Sequence, residues 1–248
     1  MVYRFLPAGQ HTYVPQTAEN MSLFSSPKNY NECLAKLNQA TFITTLVFFI
    51  LLRFFGLVPQ VIIPGDLVPP IQGYKELIEW MLSFGVVPLT AACLGLFFSY
   101  TFELHNKVAW LIGLRPFWSR HFILRPLKKR AQSLVPLTPE NAKLIMNELY
   151  YPGIKKIDEH YVHLFWRYAT QFWIMIEHLT IVFVTALILS VLKWGTGAAY
   201  LWFYFILLAA IATLHLFFVA GPRSTEQALN ISSQEVDEFF KTRFQDHK

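Results

Sequence analysis

QFWIMIEHLTIVFVTALILSVL (residues 171–192) and AAYLWFYFILLAAIATLHLFFVA (198–220) flank the short turn Lys193-Trp194-Gly195-Thr196-Gly197. Each run holds about twenty residues, enough at about 1.5 Å per helical residue to cross a hydrocarbon core of roughly 30 Å. The stretch 168–219 therefore reads as a transmembrane hairpin. Glu177 and His215 are equally far from Thr196 along the chain, which puts them at similar depth if both runs are helices. With His178 they form a candidate polar level. An ionisable group in an apolar run marks a functional site by default, because charge in hydrocarbon is costly. At about 28 Å from the turn, however, this level falls near the interface rather than the midplane, where a Glu–His contact can simply tie two helices.

The rest of the composition agrees with a membrane chain. Charged residues make up 15% of the 248 residues, against roughly 25% in soluble domains. The 23 Phe outnumber either the 21 Lys+Arg or the 16 Asp+Glu. Polar surface cannot cover so many apolar side chains, so lipid must solvate part of the chain. Cys33 and Cys93 make no disulfide framework. The first forty residues lack the pattern of a cleaved secretory signal, and insertion is expected to use the first span itself.

Working back toward the N-terminus, residues 1–39 read as an irregular tail followed by a helix that Ser26-Pro27 opens. Residues 40–102 read as a first transmembrane hairpin. Its helices are 40–58, ending at Pro59, and 77–102, kinked at Pro88. Gly85, Ala91, Ala92 and Gly95 offer small surfaces for a close helix neighbour. Arg53 and Glu79 stand near the outer ends of these helices and make a candidate interhelical ion pair.

Residues 103–167 carry eleven Lys or Arg against five Asp or Glu, and the positive-inside rule assigns them to the cytoplasm. Four spans then leave both termini cytoplasmic, with a bacterial inner membrane the expected location. Within this segment Arg115, Arg120, Arg125, Lys128, Lys129 and Arg130 alternate with Trp, Phe and Leu, as in stretches that lie along anionic headgroups. The same mixture suits a lipid bilayer better than nucleic acid. Pro116 and Pro126 are expected to divide the stretch into short pieces. Thr138-Pro139-Glu140 opens a helix that should end near Pro152-Gly153, and a further helix from Ile154 should lead into the third span. Gly221-Pro222 is expected to end the fourth span. In the tail 220–248, Ser232-Ser233-Gln234-Glu235 resembles a capping box opening an amphipathic helix with Val236, Phe239 and Phe240 on one face.

Candidate chemistry is sparse. His160 and His163 lie three apart beside Asp158 and Glu159, a spacing that can face a metal. The several histidine boxes of membrane desaturases are absent, and His105 and His121 stand isolated. His178 is one position off Glu177 and faces another direction, a poor arrangement for paired haem ligands. No phosphate-cradling glycine loop, HExxH, CxxC pair or GxSxG is present. Asn20 and Asn230 head glycosylation sequons on the expected cytoplasmic side and should stay unmodified.

The expectation is an all-α, polytopic membrane protein with four transmembrane helices and a basic helical cytoplasmic segment between spans 2 and 3. It needs no cofactor, is not an enzyme, and joins a larger assembly for secretion, conjugation, transport or defence. Homo-oligomer or protein partners would engage it through the cytoplasmic segment and the C-terminal helix. An oligomeric channel is the first alternative and a histidine-based metal or haem redox protein the second.

Overall fold

The computed structural model describes residues 27, 29–57, 74–192 and 195–244, with the backbone alone over 74–87. Among them every regular element is helical. The tail 1–25, the Ser26 cap, the Pro59 break with its loop, Lys193-Trp194, and the side chains of Glu79 and Gly85 all lie outside the described residues. The chain divides into two units, 27–115 with 166–220, and 116–165 with the C-terminal residues from 221.

The first unit holds α1 (Tyr30–Phe54), α2 (Tyr74–Phe102), α3 (Leu104–Leu111), most of α8 (Glu159–Val191) and α9 (Gly195–His215). α1 starts at Tyr30, later than Ser26-Pro27 suggested. Asn29 caps it, its Oδ1 accepting from the Glu32 N–H at 2.9 Å while its Nδ2 donates to the Glu32 carboxylate at 3.1 Å. That is a reciprocal cap built on Asn rather than Ser. The helix closes where Gly56 takes a left-handed φ of 64° and donates to the Arg53 carbonyl at 3.0 Å. α2 is continuous through Pro88. A Cβ on Gly95 would sit 3.1 Å from Thr45 Oγ1, so glycine here sets how near α1 and α2 can come.

α1 buries one stripe, Cys33, Leu37, Ala40, Thr41, Thr45, Phe48 and Leu52, at helical spacing. Its end packs Phe48 and Leu52 against Val182, Ala186 and Leu189 of α8 and Ala198 and Leu201 of α9. Beyond this core the helices stay apolar on their outer faces. Only 33% of the most apolar window of α1 and of α8 is buried, and 22% for the helical run Gly195–Leu229. These three are long and apolar enough to cross a membrane, at 25, 33 and 35 residues, and they suggest an integral membrane protein.

The second unit is built from α4 (Leu114–Trp118) onward, α5 (Arg125–Arg130), α6 (Pro139–Leu144), α7 (Tyr151–Gly153), α10 (Gly221–Leu229) and α11 (Ser233–Arg243). Here three proline expectations need correction. The helix runs unbroken from Leu114 to Arg130, and the last apolar helix continues past Gly221-Pro222 to Leu229. Pro116 falls in the first turn of its run, where no helical N–H is needed. A wide π-helical turn precedes each of the other two, 119–124 before Pro126 and 216–220 before Pro222. A third, 145–150, precedes Pro152 at the expected helix end. A proline removes one N–H and crowds the carbonyl four residues back, and a widened turn relieves both. The Phe122 carbonyl, whose partner four residues on would be Pro126, accepts the Thr225 hydroxyl at 2.8 Å instead.

Thr138 caps α6 through Asn141 N–H at 3.2 Å, and the run ends at Gly153. A turn over 154–158 then separates it from α8, so no helix runs on from Ile154. Asp158 Oδ1 accepts from the His160 N–H at 2.7 Å and opens α8. α11 forms as expected, but the Ser232 side chain makes no cap bond. Val236, Phe239 and Phe240 are buried, each worth about 1.5–3 kcal/mol relative to exposure.

Candidate functional site

Thr41 lies on the buried stripe of α1, one turn beyond Leu37. On α2, buried Ala92, Gly95 and Ser99 recur every three to four residues and so share one face. α2 and α3 are separated by Glu103, which adopts φ 45°, a left-handed turn that lets α3 leave in a new direction with His105 in its first turn. α8 contributes Glu177, next to Ile176 on its buried side.

These four helices meet at the Glu177 carboxylate, which is fully buried. Thr41 Oγ1 donates to Oε2. Ser99 Oγ lies 2.9 Å from Oε2 and 3.1 Å from Oε1, and 2.7 Å from Asn38 Oδ1. The His105 backbone N–H donates to Oε1 at 3.3 Å, and its ring Nδ1 is 3.1 Å from the same oxygen. Thr41, Ser99 and His105 are buried with it, and the His105 ring packs on Trp173 at 5.7 Å. A carboxylate taken out of water needs donors of this kind on both oxygens. It also occupies the N-terminal turn of α3, where unpaired N–H groups favour negative charge.

The expected polar level separates into three environments. His215 is not among the partners of Glu177; its ring stacks on Phe172 at 6.4 Å and beside Tyr168. His178 turns the other way, its Nε2 3.0 Å from the Tyr204 hydroxyl and its ring edge-on to Phe48. The imidazole that pairs with Glu177 is His105, which the sequence left isolated. Arg53 lies in the last turn of α1, while its expected partner Glu79 is outside the described side chains.

The six basic candidates also divide. Arg115 donates to Asn106 Oδ1, and Asn106 in turn donates to the Tyr30 hydroxyl at 3.1 Å. Arg130 donates to the carbonyls of Leu229 and, at 2.7 Å, Ile231, and to Ser233 Oγ, fastening the link between α10 and α11. Arg120, Arg125, Lys128 and Lys129 instead line one depression of about 510 Å³. Arg125 Nη1 is 3.0 Å from His121 Nδ1. Both cysteines are free thiols, and Cys33 accepts from Thr170 Oγ1 at 3.0 Å. Among the described residues no three His, Cys, Asp or Glu side chains converge as metal ligands, the Asp158–His163 stretch included.

In the second unit Tyr150 is buried and donates to Gln227 Oε1 at 2.6 Å, and Trp118 Nε1 donates to Ser224 Oγ at 3.0 Å. Burial pushes the Tyr150 phenol well above its ordinary range.

A family model, that of the YmfE protein family, matches residues 29–242, from the Asn29 cap into α11. The uncharacterized protein YmfE of Escherichia coli (strain K12) is 35% identical over 226 residues, covering 88% of this chain and 97% of that protein. No solved structure matches. The Asn29 cap, the Glu177 junction and the basic depression all fall inside the matched region, and the chain belongs to the YmfE protein family.

Proposed function

We propose that the protein is a non-enzymatic, multi-pass component of a membrane assembly. It crosses the bilayer four times, through α1, α2, α8 and α9, with both termini and the basic segment in the cytoplasm. The observation that carries this reading is the enclosure of Glu177. The most conspicuous ionisable group among the apolar helices has its oxygens taken up by protein donors from α1, α2 and α3. A side chain so engaged holds helices together rather than meeting a substrate. The charge bias of residues 103–167 supports the cytoplasmic orientation, and their aromatic and basic side chains suit a surface of anionic headgroups.

Purification from the host in mild detergent, with mass spectrometry and an absorbance scan of the same sample, tests the reading. The expected result is a co-purifying protein partner and no visible chromophore. Ion flux through the protein alone in liposomes would replace it with a channel, and bound haem or metal with a redox protein.

A further inference from the structure

We propose that Arg120, Arg125, Lys128 and Lys129 form a defined binding site for the phosphate of an acidic phospholipid headgroup. This deepens the reading above and rests on its placement of the basic segment at the headgroups. The six cations between 115 and 130 are not equivalent. Arg115 and Arg130 spend their guanidinium groups on Asn106 and on the 229–233 link. The remaining four line one depression together with Gln132, Ser133, Leu134 and Leu137, and no acidic side chain lines it.

The local fold explains why they gather. Arg125 and Lys129 lie one α-helical turn apart on one continuous helix. The π turn over 119–124 leaves Arg120 exposed beside them, with Lys128 half-buried at the same depression. The chain then reverses sharply. Gln132 takes a left-handed φ of 50°. Its N–H donates to the Lys129 carbonyl and the Ser133 N–H to the Lys128 carbonyl, both at 3.2 Å. This is a Schellman ending with Gln in the position glycine usually fills. It folds Gln132, Ser133 and Leu134 back as a wall beside the cations. Val135 turns inward and is buried, whereas Leu134 stands 78% exposed at the rim.

Four clustered cations repel one another, and a phosphate relieves that repulsion; the Arg forks suit its oxygens and the Lys ammoniums act as point charges. His121 accepts from Arg125 and orients its guanidinium. An exposed leucine beside the phosphate ligands is the reason to name a lipid rather than free phosphate: the headgroup meets the cations while the leucine enters the acyl boundary.

The test uses the full-length protein in neutral detergent, with native mass spectrometry titrations of phosphatidylglycerol, phosphatidylcholine and inorganic phosphate. Wild type should prefer phosphatidylglycerol over phosphatidylcholine. The variant Arg125→Gln/Lys129→Gln should weaken phosphatidylglycerol binding on the order of tenfold. Lys143→Gln/Lys155→Gln removes the same charge from the same unit outside the depression and should stay within about twofold. Leu134→Ser should weaken lipid binding and leave phosphate binding unchanged. Equal losses in the two double variants would overturn the site while leaving headgroup contact in general intact. No preference for phosphatidylglycerol in wild type would overturn both. Tight inorganic phosphate binding with no effect of Leu134→Ser would assign the site to free phosphate and overturn the lipid. A drop in melting temperature of Arg125→Gln/Lys129→Gln with lipid affinity unchanged would reduce these cations to helix-end charges.

Discussion

His105 meets Glu177 twice, through its backbone N–H at 3.3 Å and its ring Nδ1 at 3.1 Å, both on the same carboxylate oxygen. One residue of α3 is thereby fixed in position and ring orientation by a residue of α8 that is 72 positions away. Thr41 and Ser99 complete the junction from α1 and α2. His215, which equal distance to the turn places at a similar depth, is not among the partners of Glu177.

Glu177→Leu should therefore cost about 3–5 kcal/mol, since it strands buried hydroxyl and N–H donors. Glu177→Gln should cost about 1–2 kcal/mol. Its amide oxygen can still accept from His105, and the Ser99 and Thr41 hydroxyls can rotate to accept from its NH2. Unfolding in mixed micelles gives both values. Equal losses for the two variants would remove the hydrogen-bonded role assigned to the carboxylate.

How much of this was legible depends on the residue. The apolar hairpin announced itself by length, and Glu177 by being ionisable inside it. Its partners did not, because Ser99 and Thr41 lie 78 and 136 positions away and a hydroxyl in an apolar run carries no periodic signal. His105 looked isolated because only the left-handed turn at Glu103 brings it round. Thr138-Pro139 was readable as a cap because that chemistry is local. Pro126 and Pro222 misled, since each is absorbed by a widened turn that leaves no local signal, and the carbonyl freed by Pro126 finds its partner only in distant Thr225. The run Lys128-Lys129-Arg130 read as one patch, yet Arg130 points into its own unit.

Arg130→Gln should accordingly destabilise the second unit by about 1–2 kcal/mol, because a charged donor shared by the Leu229 and Ile231 carbonyls and Ser233 is lost. Lys129→Gln should change stability by less than about 0.5 kcal/mol. Hydrogen exchange over 229–233 should rise in the first variant only.

Gly153 admits no side chain. A Cβ there would lie 2.9 Å from Ile231 Cγ2 and about as near two more atoms of the same residue. Gly153→Ala should cost about 1–3 kcal/mol. Gly153→Ala combined with Ile231→Val should recover part of that loss, as a coupled pair does. Thermal melts of the three variants check this.

Tyr150 gives the second unit an alkaline limit. Its phenol is pushed up by burial in the folded chain, while the unfolded chain releases that proton near pH 10. The folded state thus binds more protons above that pH, and stability is present below pH 10 and falls as the pH rises, by up to about 1.4 kcal/mol per unit. Tyr150→Phe should remove this part of the slope between pH 9 and 11. It should also cost about 1 kcal/mol at neutral pH, for the lost bond to Gln227. A slope identical in variant and wild type would mean that Tyr150 ionises in place.

The orientation of α8 tests the account most directly. Thr196→Cys and Leu134→Cys, both at exposed positions, are made separately in a Cys93→Ser background that keeps only the buried Cys33, and intact spheroplasts are treated with a membrane-impermeant maleimide. Thr196→Cys should label at once, whereas Leu134→Cys should label only after permeabilisation. Labelling of both positions from the outside, or protection of both until the membrane is opened, would mean that α8 does not cross the bilayer between them, and would contradict the account.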